Sequence, residues 1–562
     1  MKFGRAEDYG APPAIYNVRL YTAAICAATA AIMIGYDSAF IGTSISLASF
    51  KDEFGLSHLS ADAFATKSAN IVSVYQAGAF FGAMAGYPLG YFLGRRKGLF
   101  VSALIFVLGA GMMCGANGAR GLGLIYGGRV LAGFGIGGAS NLTPLYISEI
   151  APPAIRGQLV GMYEIGWQVG GIVGYWINYG CSKHIPASHK QWFIPFAIQL
   201  VPGGLFAILI PLAIKESPRW LMAKGKRTQA ISSLSYLRNL PEDHDYLIEE
   251  VNQIQLQVEH DRTAVGEGFM APIRGIFGKW YLTRRLLITT SLFIFQNGTG
   301  INAVNYYSPT FFKSIGLVGQ NSSLLTTGVF GVIKAIGALL WAFWWVDRYG
   351  RRGVLLTGAA GGAVAMLIIG GILGATDPVA HPTGHLPPSG GAAIAFFYIW
   401  TSFYSMGWNG TPWVVNSEVF PGAVRQISSA AAAMSNWLWN FVISRATPTM
   451  FLKMGGSGYG VYIFFGVMQI FSIIFIIFLL PETKGIPLES MDMLFAPGAN
   501  TWNVHKRAVE QLEHERAIHR GDHPTYLKPG SGVAHLEQTS RKSGSGSLTP
   551  EDQEKVAMDI HP

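Results

Sequence analysis

The stretch GALLWAFWWVDRYGRRGVLLTGAAGGAVAMLIIGG, residues 337–371, decides the fold. One apolar run ends at Val346, a short loop carries Asp347, Arg348, Arg351 and Arg352, and a second apolar run begins at Gly353. A helix needs about 20 mostly apolar residues to cross a bilayer. Both runs, taken as 322–345 and 354–374, meet that length. Basic residues gathered between two spans mark a cytoplasmic loop. The chain therefore reads as an all-α integral membrane protein.

Working outward, the same test places spans at 20–43, 68–93, 99–117, 123–147, 157–180 and 191–214, and at 286–312, 392–416, 427–450 and 459–480. The expected plan is twelve transmembrane helices in two six-helix repeats. Residues 1–19 form a cytoplasmic N-terminus, 20–214 an N-terminal six-helix bundle, and 215–285 a cytoplasmic linker with some helix. A C-terminal six-helix bundle covers 286–480, and 481–562 form a tail expected to be largely disordered after 495, where Ser, Gly, Lys and Glu dominate. Arg95, Arg96 and Lys97 follow the second span and the linker is basic, whereas the loop 375–391 has no Lys or Arg. Both termini are therefore expected in the cytoplasm. The first apolar segment is too long for a signal core and lacks a small-residue cleavage site, so no cleavable leader is expected.

Composition agrees. Half of the 562 residues are hydrophobic and 13% are charged, against about 25% charged in soluble proteins. Seventy glycines suit close helix packing, and fourteen tryptophans suit the headgroup region. The net charge of +9 sits in short runs between spans, so the bilayer rather than nucleic acid is the expected partner. Cys26, Cys114 and Cys181 have no ligand spacing, and no metal site is expected. No Walker-type loop occurs, and the glycine run from Gly133 to Gly138 lies inside a span with no strand before it, which fails the dinucleotide fingerprint. With no nucleophile–base set, the chain is read as no enzyme, with no catalytic residues and no cofactor.

The two halves echo one another. Gly94-Arg95-Arg96 matches Gly350-Arg351-Arg352, and Glu149 and Arg156 have the same separation as Glu418 and Arg425. Paired repeats are the expected build of a carrier that rocks one half against the other. Gly78, Gly82, Gly86, Gly90 and Gly94 recur every fourth residue on one face of the second span, where another helix can approach closely.

An ionisable residue at the centre of a membrane helix costs roughly 2.5–3.5 kcal/mol on the insertion scale and calls for a reason. Asp37 and Arg129 both lie roughly 10 Å below the outer surface at 1.5 Å rise per residue, so they can pair. Either the pair responds to protons or it permanently stitches two helices. Glu164 and Lys334 reach the middle third of the membrane. Lys334 can hold an anionic substrate and Glu164 a hydroxyl or proton, or the two simply neutralise each other. Gln168, Gln296, Asn297, Asn302, Asn305, Asn409, Asn436 and Asn440 also lie within spans. Amides donate and accept together, which suits a polyhydroxylated solute. Trp413, Trp437 and Tyr306 can face its ring. Of these, Glu164, Gln168, Gln296, Asn297, Asn302, Lys334, Trp413 and Asn436 are the candidate substrate residues.

Over about residues 15–495 the chain resembles the sugar porters of the major facilitator superfamily. The resemblance rests on Gly94-Arg95-Arg96, Asp347-Arg348-Tyr349-Gly350-Arg351-Arg352, Glu149 through Arg156-Gly157, Glu216-Ser217-Pro218-Arg219-Trp220-Leu221, Gln296-Asn297-Gly298-Thr299-Gly300-Ile301-Asn302 and Pro481-Glu482-Thr483-Lys484-Gly485. It implies alternating access, a central site and cytoplasmic Arg–Glu latches. The latches would use Arg95, Arg96, Glu149, Arg156, Glu216, Arg219, Asp347, Arg348, Arg351, Arg352, Glu418, Arg425 and Glu482. It also implies that an aspartate at Asp37 marks proton-coupled members. Tyr91-Phe92 replace the usual Asp-Arg of the first-half loop motif, so that latch must differ from its Asp347-Arg348 counterpart. Lys215 replaces a proline before Glu216, and Asn297 replaces a glutamine. Glu164 stands where hexose carriers usually have glutamine, and Lys334 where they often have asparagine.

Within that family the stretches from Ile34 to Gly42, Asn70 to Gly82 and Trp408 to Trp413 most resemble the fungal quinate permease branch. The implied function is proton-coupled import of quinate or a related polyhydroxy carboxylate across the plasma membrane. Regulators acting on the tail are further candidate partners. A neutral hexose, pentose or polyol carrier is the alternative within the class. A nutrient receptor on a transporter fold is the alternative outside it, although such receptors often lose pathway residues that this chain retains.

Overall fold

The computed structural model describes residues 12–381, 386–486, 488–495, 501 and 503–519. Every regular element among them is helical. In chain order the main helices are α1 (Val18–Ser46), α2 (Ala61–Pro88), α3 (Arg95–Cys114), α4 (Gly123–Ile150), α5 (Arg156–His184), α6 (His189–Ile198) and α7 (Leu200–Ala213). Linker helices α8 (Arg227–Arg238) and α9 (Asp245–Val265) follow. Then come α10 (Trp280–Gly298), α11 (Ile301–Ser314), α12 (Gln320–Leu340), α13 (Arg351–Thr376), α14 (Pro388–Gly407), α15 (Thr411–Val419), α16 (Gly422–Lys453), α17 (Tyr459–Leu479) and α18 (Val504–His519).

Six helical stretches are long and apolar enough to cross a membrane by length and composition: Pro13–Ser46, Arg95–Cys114, His189–Ala213, Gln320–Trp345, Arg351–Thr376 and Gly456–Leu479. The other six expected spans fall on α2, α4, α5, α10 with α11, α14 with α15, and α16. These carry the glycines and amides of the interior, which lower their apolarity, and two of them are broken. The stretch 286–312 breaks at Thr299-Gly300, where Gly300 has φ +93°, a conformation that glycine adopts without steric penalty. The stretch 392–416 breaks between Gly407 and Thr411. That break frees the carbonyls of Trp408 and Asn409, and Gln296 Nε2 donates to both, at 2.8 and 2.9 Å. A break in a membrane helix persists where such groups are satisfied again.

The linker has its own small core, in which Leu221, Leu234, Leu247, Val251 and Val258 gather with Ile15. Arg238 clamps it by donating to both carboxylate oxygens of Glu250 and to the Ile150 carbonyl. The expected bundles and linker pack into one unit that ends at His505, and a second unit begins at Lys506. The expectation of disorder after 495 needs correction at α18, which lies inside that stretch. Its run from Val504 to His519 is rich in good helix formers, and Lys506 lies one turn from Glu510, with Nζ 3.9 Å from Oε1. Residues 520–562 of the expected tail lie outside the described residues, as do most of the expected N-terminal segment.

Glycine sets the closest approaches. A Cβ at Gly78 or Gly82 on α2 would overlap the carbonyls of Val130 or Phe134 on α4. The reciprocal glycines Gly133 and Gly137 on α4 lie against the carbonyls of Tyr75 and Ala79. Gly86 faces Asn141, and Gly90 faces Leu142 and Gln426. The ladder read from sequence is therefore a packing face. On α1, Gly170 of α5 touches the Ile32 carbonyl, and Gly42 sits against the Tyr306 carbonyl of α11.

The Gly42 contact joins an N-terminal helix to a C-terminal one, and a methyl group there displaces backbone rather than a side chain. Gly42→Ala should cut initial uptake at least about fivefold at matched surface expression, the loss expected when overpacking costs about 1–3 kcal/mol. Gly111→Ala, on α3 with open space beside it, should stay within about twofold, as surface substitutions do. Equal uptake by the two variants would show that the α1–α11 approach carries no functional weight.

Candidate functional site

Asp37 on α1 and Arg129 on α4 meet as their estimated depths required. Arg129 Nη1 donates to Asp37 Oδ1 at 3.2 Å, and both side chains are 0% exposed. The guanidinium also lies 4.8 Å from the ring centroid of Tyr75 on α2. Among the described residues, Asp37 Oδ2 and Arg129 Nε and Nη2 have no hydrogen-bond partner. A buried pair with unused valences is sensitive to any change in the charge of either member.

A narrow cavity of about 10 Å³, room for about one water, lies between α1, α5, α11 and α12. Ser38, Trp167, Gln168, Tyr175, Asn305 and Lys334 contribute its polar and aromatic wall. Of the expected substrate residues, the structure thus brings Gln168 and Lys334 to the cavity itself. Glu164 stands one step behind, accepting from Gln168 Nε2 and from Asn409 Nδ2, both at 2.7 Å. It thereby joins α5 to the break between α14 and α15, whose carbonyls hold Gln296.

Glu164 and Lys334 feel each other's charge but share no direct bond among the described residues. Lys334 Nζ instead donates to Asn305 Oδ1 at 3.3 Å. Asn305 Nδ2 donates to Asn302 Oδ1 at 3.3 Å, Asn302 Nδ2 to Asn297 Oδ1 at 2.6 Å, and Asn297 Nδ2 to Asn436 Oδ1 at 3.3 Å. Asn297, Asn302 and Asn436 therefore reach the cavity wall only through this chain, because each amide is satisfied by the next. Trp413 packs edge-on against Phe293 at 4.6 Å and is not part of the wall. Sequence reasoning passed over Trp167 and Tyr175. The available signal was register: Glu164, Gln168 and Tyr175 lie four and seven residues apart, on one face of α5.

At the basic end of the bundle two nearly identical clasps form. In the first, Arg95 Nε and Nη2 bind Glu149 Oε2 and Oε1 at 2.9 and 2.7 Å. In the second, Arg351 Nη2 binds Glu418 Oε1 at 2.7 Å, and Thr483 donates to the other oxygen. Glu216 and Glu482 play a different part from side-chain pairing. Glu216 Oε1 accepts the backbone N–H of Arg95 and Ser217, and its two oxygens share that of Arg96. Glu482 likewise accepts the backbone N–H of Arg351 and Arg352, both at 2.9 Å. Each carboxylate thus caps a helix whose N-terminus begins at a glycine with φ +90° (Gly94) or +77° (Gly350), where negative charge is favoured. Burial is the largest influence on Glu216 and raises its pKa, against the lowering effect of these bonds. Arg96 and Arg352 complete the symmetry by donating to the carbonyls of Pro211 and Ile477, both at 2.8 Å.

Arg219 is paired with Asp261 of α9 at 2.7 Å, a partner that no motif announced. Both lie against Gly422 at the start of α16. Arg425 is held down to about 10 by burial first and then by the charges of Arg219 and Arg156, although Asp261 and Glu149 offset part of this. Arg348 stays outside the clasps: it is exposed, its guanidinium is 5.9 Å from the Trp344 ring centroid, and its carbonyl accepts from Lys484. The side chain of Asp347 lies outside the described residues. Where Tyr91-Phe92 depart from the loop motif, the contacts are aromatic. The Phe269 ring lies 4.9 Å from Tyr87, 5.4 Å from Tyr91 and 5.2 Å from Phe92. Lys224 Nζ lies 3.6 Å from the Tyr91 ring centroid, and burial, then the charge of Arg95, lowers its pKa.

The sequence and the fold resemble known proteins over most of the chain. The family model described as sugar (and other) transporter matches residues 23–495. The quinate permease of Emericella nidulans is 54% identical over 533 residues, covering 95% of this chain and 98% of that protein. A probable quinate permease of Aspergillus terreus is 56% identical over 517 residues, covering 92% of this chain and 94% of that protein. Among solved structures, a proton:xylose symporter bound to 6-bromo-6-deoxy-D-glucose superposes with TM-score 0.71 at 28% identity, covering 85% of this chain and 99% of that one. The inward-open xylose transporter from E. coli gives TM-score 0.67 at 26% identity, covering 85% and 100%. The chain thus belongs to the sugar (and other) transporter family, as a multi-pass membrane protein with the major facilitator fold.

Proposed function

We propose that this protein is a proton-coupled symporter that imports quinate or a related polyhydroxy carboxylate across the plasma membrane by alternating access. Twelve helices cross the bilayer in this reading, with both termini and the linker in the cytoplasm. The observation that carries the substrate class is Lys334: a buried ammonium lining the cavity whose hydrogen bond goes to a neutral amide. A carboxylate entering such a place needs a paired cation. The names of the relatives point the same way. The xylose symporters among the structural neighbours favour a neutral sugar as the second reading.

Asp37 and Arg129 are assigned to proton coupling. Protonating Asp37 breaks its single bond to Arg129, and the freed guanidinium alters packing against Tyr75. Asp37→Asn should abolish concentrative uptake and leave downhill flux or exchange. Full accumulation by this variant at neutral and acidic pH would remove Asp37 from the coupling step.

The two clasps are assigned to holding the basic end shut while the opposite end opens. Glu418→Gln weakens one clasp without touching the cavity. It should lower the maximal rate of uptake more than it changes KM. A normal maximal rate with altered affinity alone would contradict the gating role.

Lys334→Asn should weaken quinate uptake by the equivalent of about 2–5 kcal/mol, the range for truncating one partner of a buried charge pair. Uptake of a neutral cyclitol or hexose should fall much less. If Lys334 serves only to balance Glu164, the single variant fails on every substrate, and adding Glu164→Gln restores quinate uptake. That rescue, at matched surface expression, would defeat the anchor role.

A further inference from the structure

Lys334 owes its usefulness to the residue that holds it. We propose that Asn305 is the specificity-determining positioning residue of the site, a neutral acceptor that aims the Lys334 ammonium at the cavity and leaves its charge free for a substrate carboxylate. This rests on the reading of Lys334 as the anchor.

Three observations carry it. First, Asn305 and Lys334 both line the cavity, and the bond between them is the one hydrogen bond of the ammonium among the described residues. An ammonium has three donors, so two remain to meet a ligand. Second, Asn305 is fixed from the other side. Its backbone carbonyl accepts from Tyr175 Oη at 3.2 Å, and its Oδ1 lies 3.5 Å from the same hydroxyl.

Third, the amide cannot turn over. From Lys334 through Asn305, Asn302 and Asn297 to Asn436, every bond runs in the same sense, NH to carbonyl. Turning Asn305 around would set its NH2 against the ammonium and its carbonyl against the carbonyl of Asn302. The ammonium thus dictates the polarity of the chain that ends on α16. A carboxylate at position 305 would still accept from Lys334 but would neutralise it, since each charge favours the charged form of the other, and its second oxygen would lose the bond to Asn302. The choice of amide over acid is what keeps the site selective for anions.

The test compares Asn305→Asp, nearly the same shape, with Asn305→Ser, which keeps a neutral oxygen. Uptake of quinate and of a neutral cyclitol is measured at matched surface expression, and thermal unfolding of the purified variants confirms that each is folded. Asn305→Asp should raise KM for quinate about tenfold or more and change the cyclitol by less than about threefold, because only the anion competes with the new carboxylate. Asn305→Ser should keep the preference for the anion. In a Lys334→Asn background, Asn305→Asp should have no further selective effect, since the partners then no longer couple. The proposal is overturned if Asn305→Asp leaves quinate unchanged, if it weakens both substrates equally, or if Asn305→Ser loses the preference as fully as the acid does. Lys334→Asn alone separates the two levels. If it weakens both substrates alike, the anchor reading falls. If it is selective while Asn305→Asp is not, the role of Asn305 alone falls.

Discussion

A buried charge has to be answered by something, and the way Lys334 is answered organises the centre of this protein. Its ammonium is met by an amide rather than by the carboxylate of Glu164. Glu164 is answered separately, by Gln168 and Asn409. The narrow cavity, a polar gap, lies beside Lys334 and beside Gln168, the residue that donates to Glu164. Two polar networks diverge from that gap, one through Asn305, Asn302 and Asn297 to α16, the other through Asn409 and Gln296 to the broken helix pair α14–α15. In the proposed reading, a substrate held there would touch both networks.

The opposite principle governs the ends. At the basic end the four motif carboxylates are each taken up. Glu149 and Glu418 are taken by arginine side chains, and Glu216 and Glu482 by the first backbone N–H groups of α3 and α13. A carboxylate shared by several donors would lose them together if the helix end moved. Close glycine contacts between α2 and α4 stiffen the N-terminal bundle. In a rocking-repeat carrier, movement is concentrated where the halves meet.

Much of this was legible in the sequence, and the failures have physical causes. The Asp37–Arg129 pair was readable because depth in a membrane is fixed by residue count, and two opposite charges at one depth seek each other. The glycine ladder was readable because a period of four marks one face. The role of Glu216 and Glu482 was not, since a motif lists side chains and the partners here are backbone groups. Charge alone left open whether Glu164 and Lys334 neutralise each other, because it does not show the nearby amides that meet both groups. Asp261, Phe269 and Lys224 come from the linker, where no periodic signal says which residues fold back on the helix ends. The expectation of disorder after 495 weighed polarity and overlooked the helix formers of α18.

The account stands or falls on whether the cavity recognises a negative charge. Binding of quinate to the purified wild-type protein should be compared with binding of its neutral carboxamide, which keeps the ring and every hydroxyl. The account predicts that quinate binds about 30-fold or more tightly, the smallest difference that pairing with a desolvated ammonium should produce. Equal affinities, or tighter binding of the amide, would contradict it.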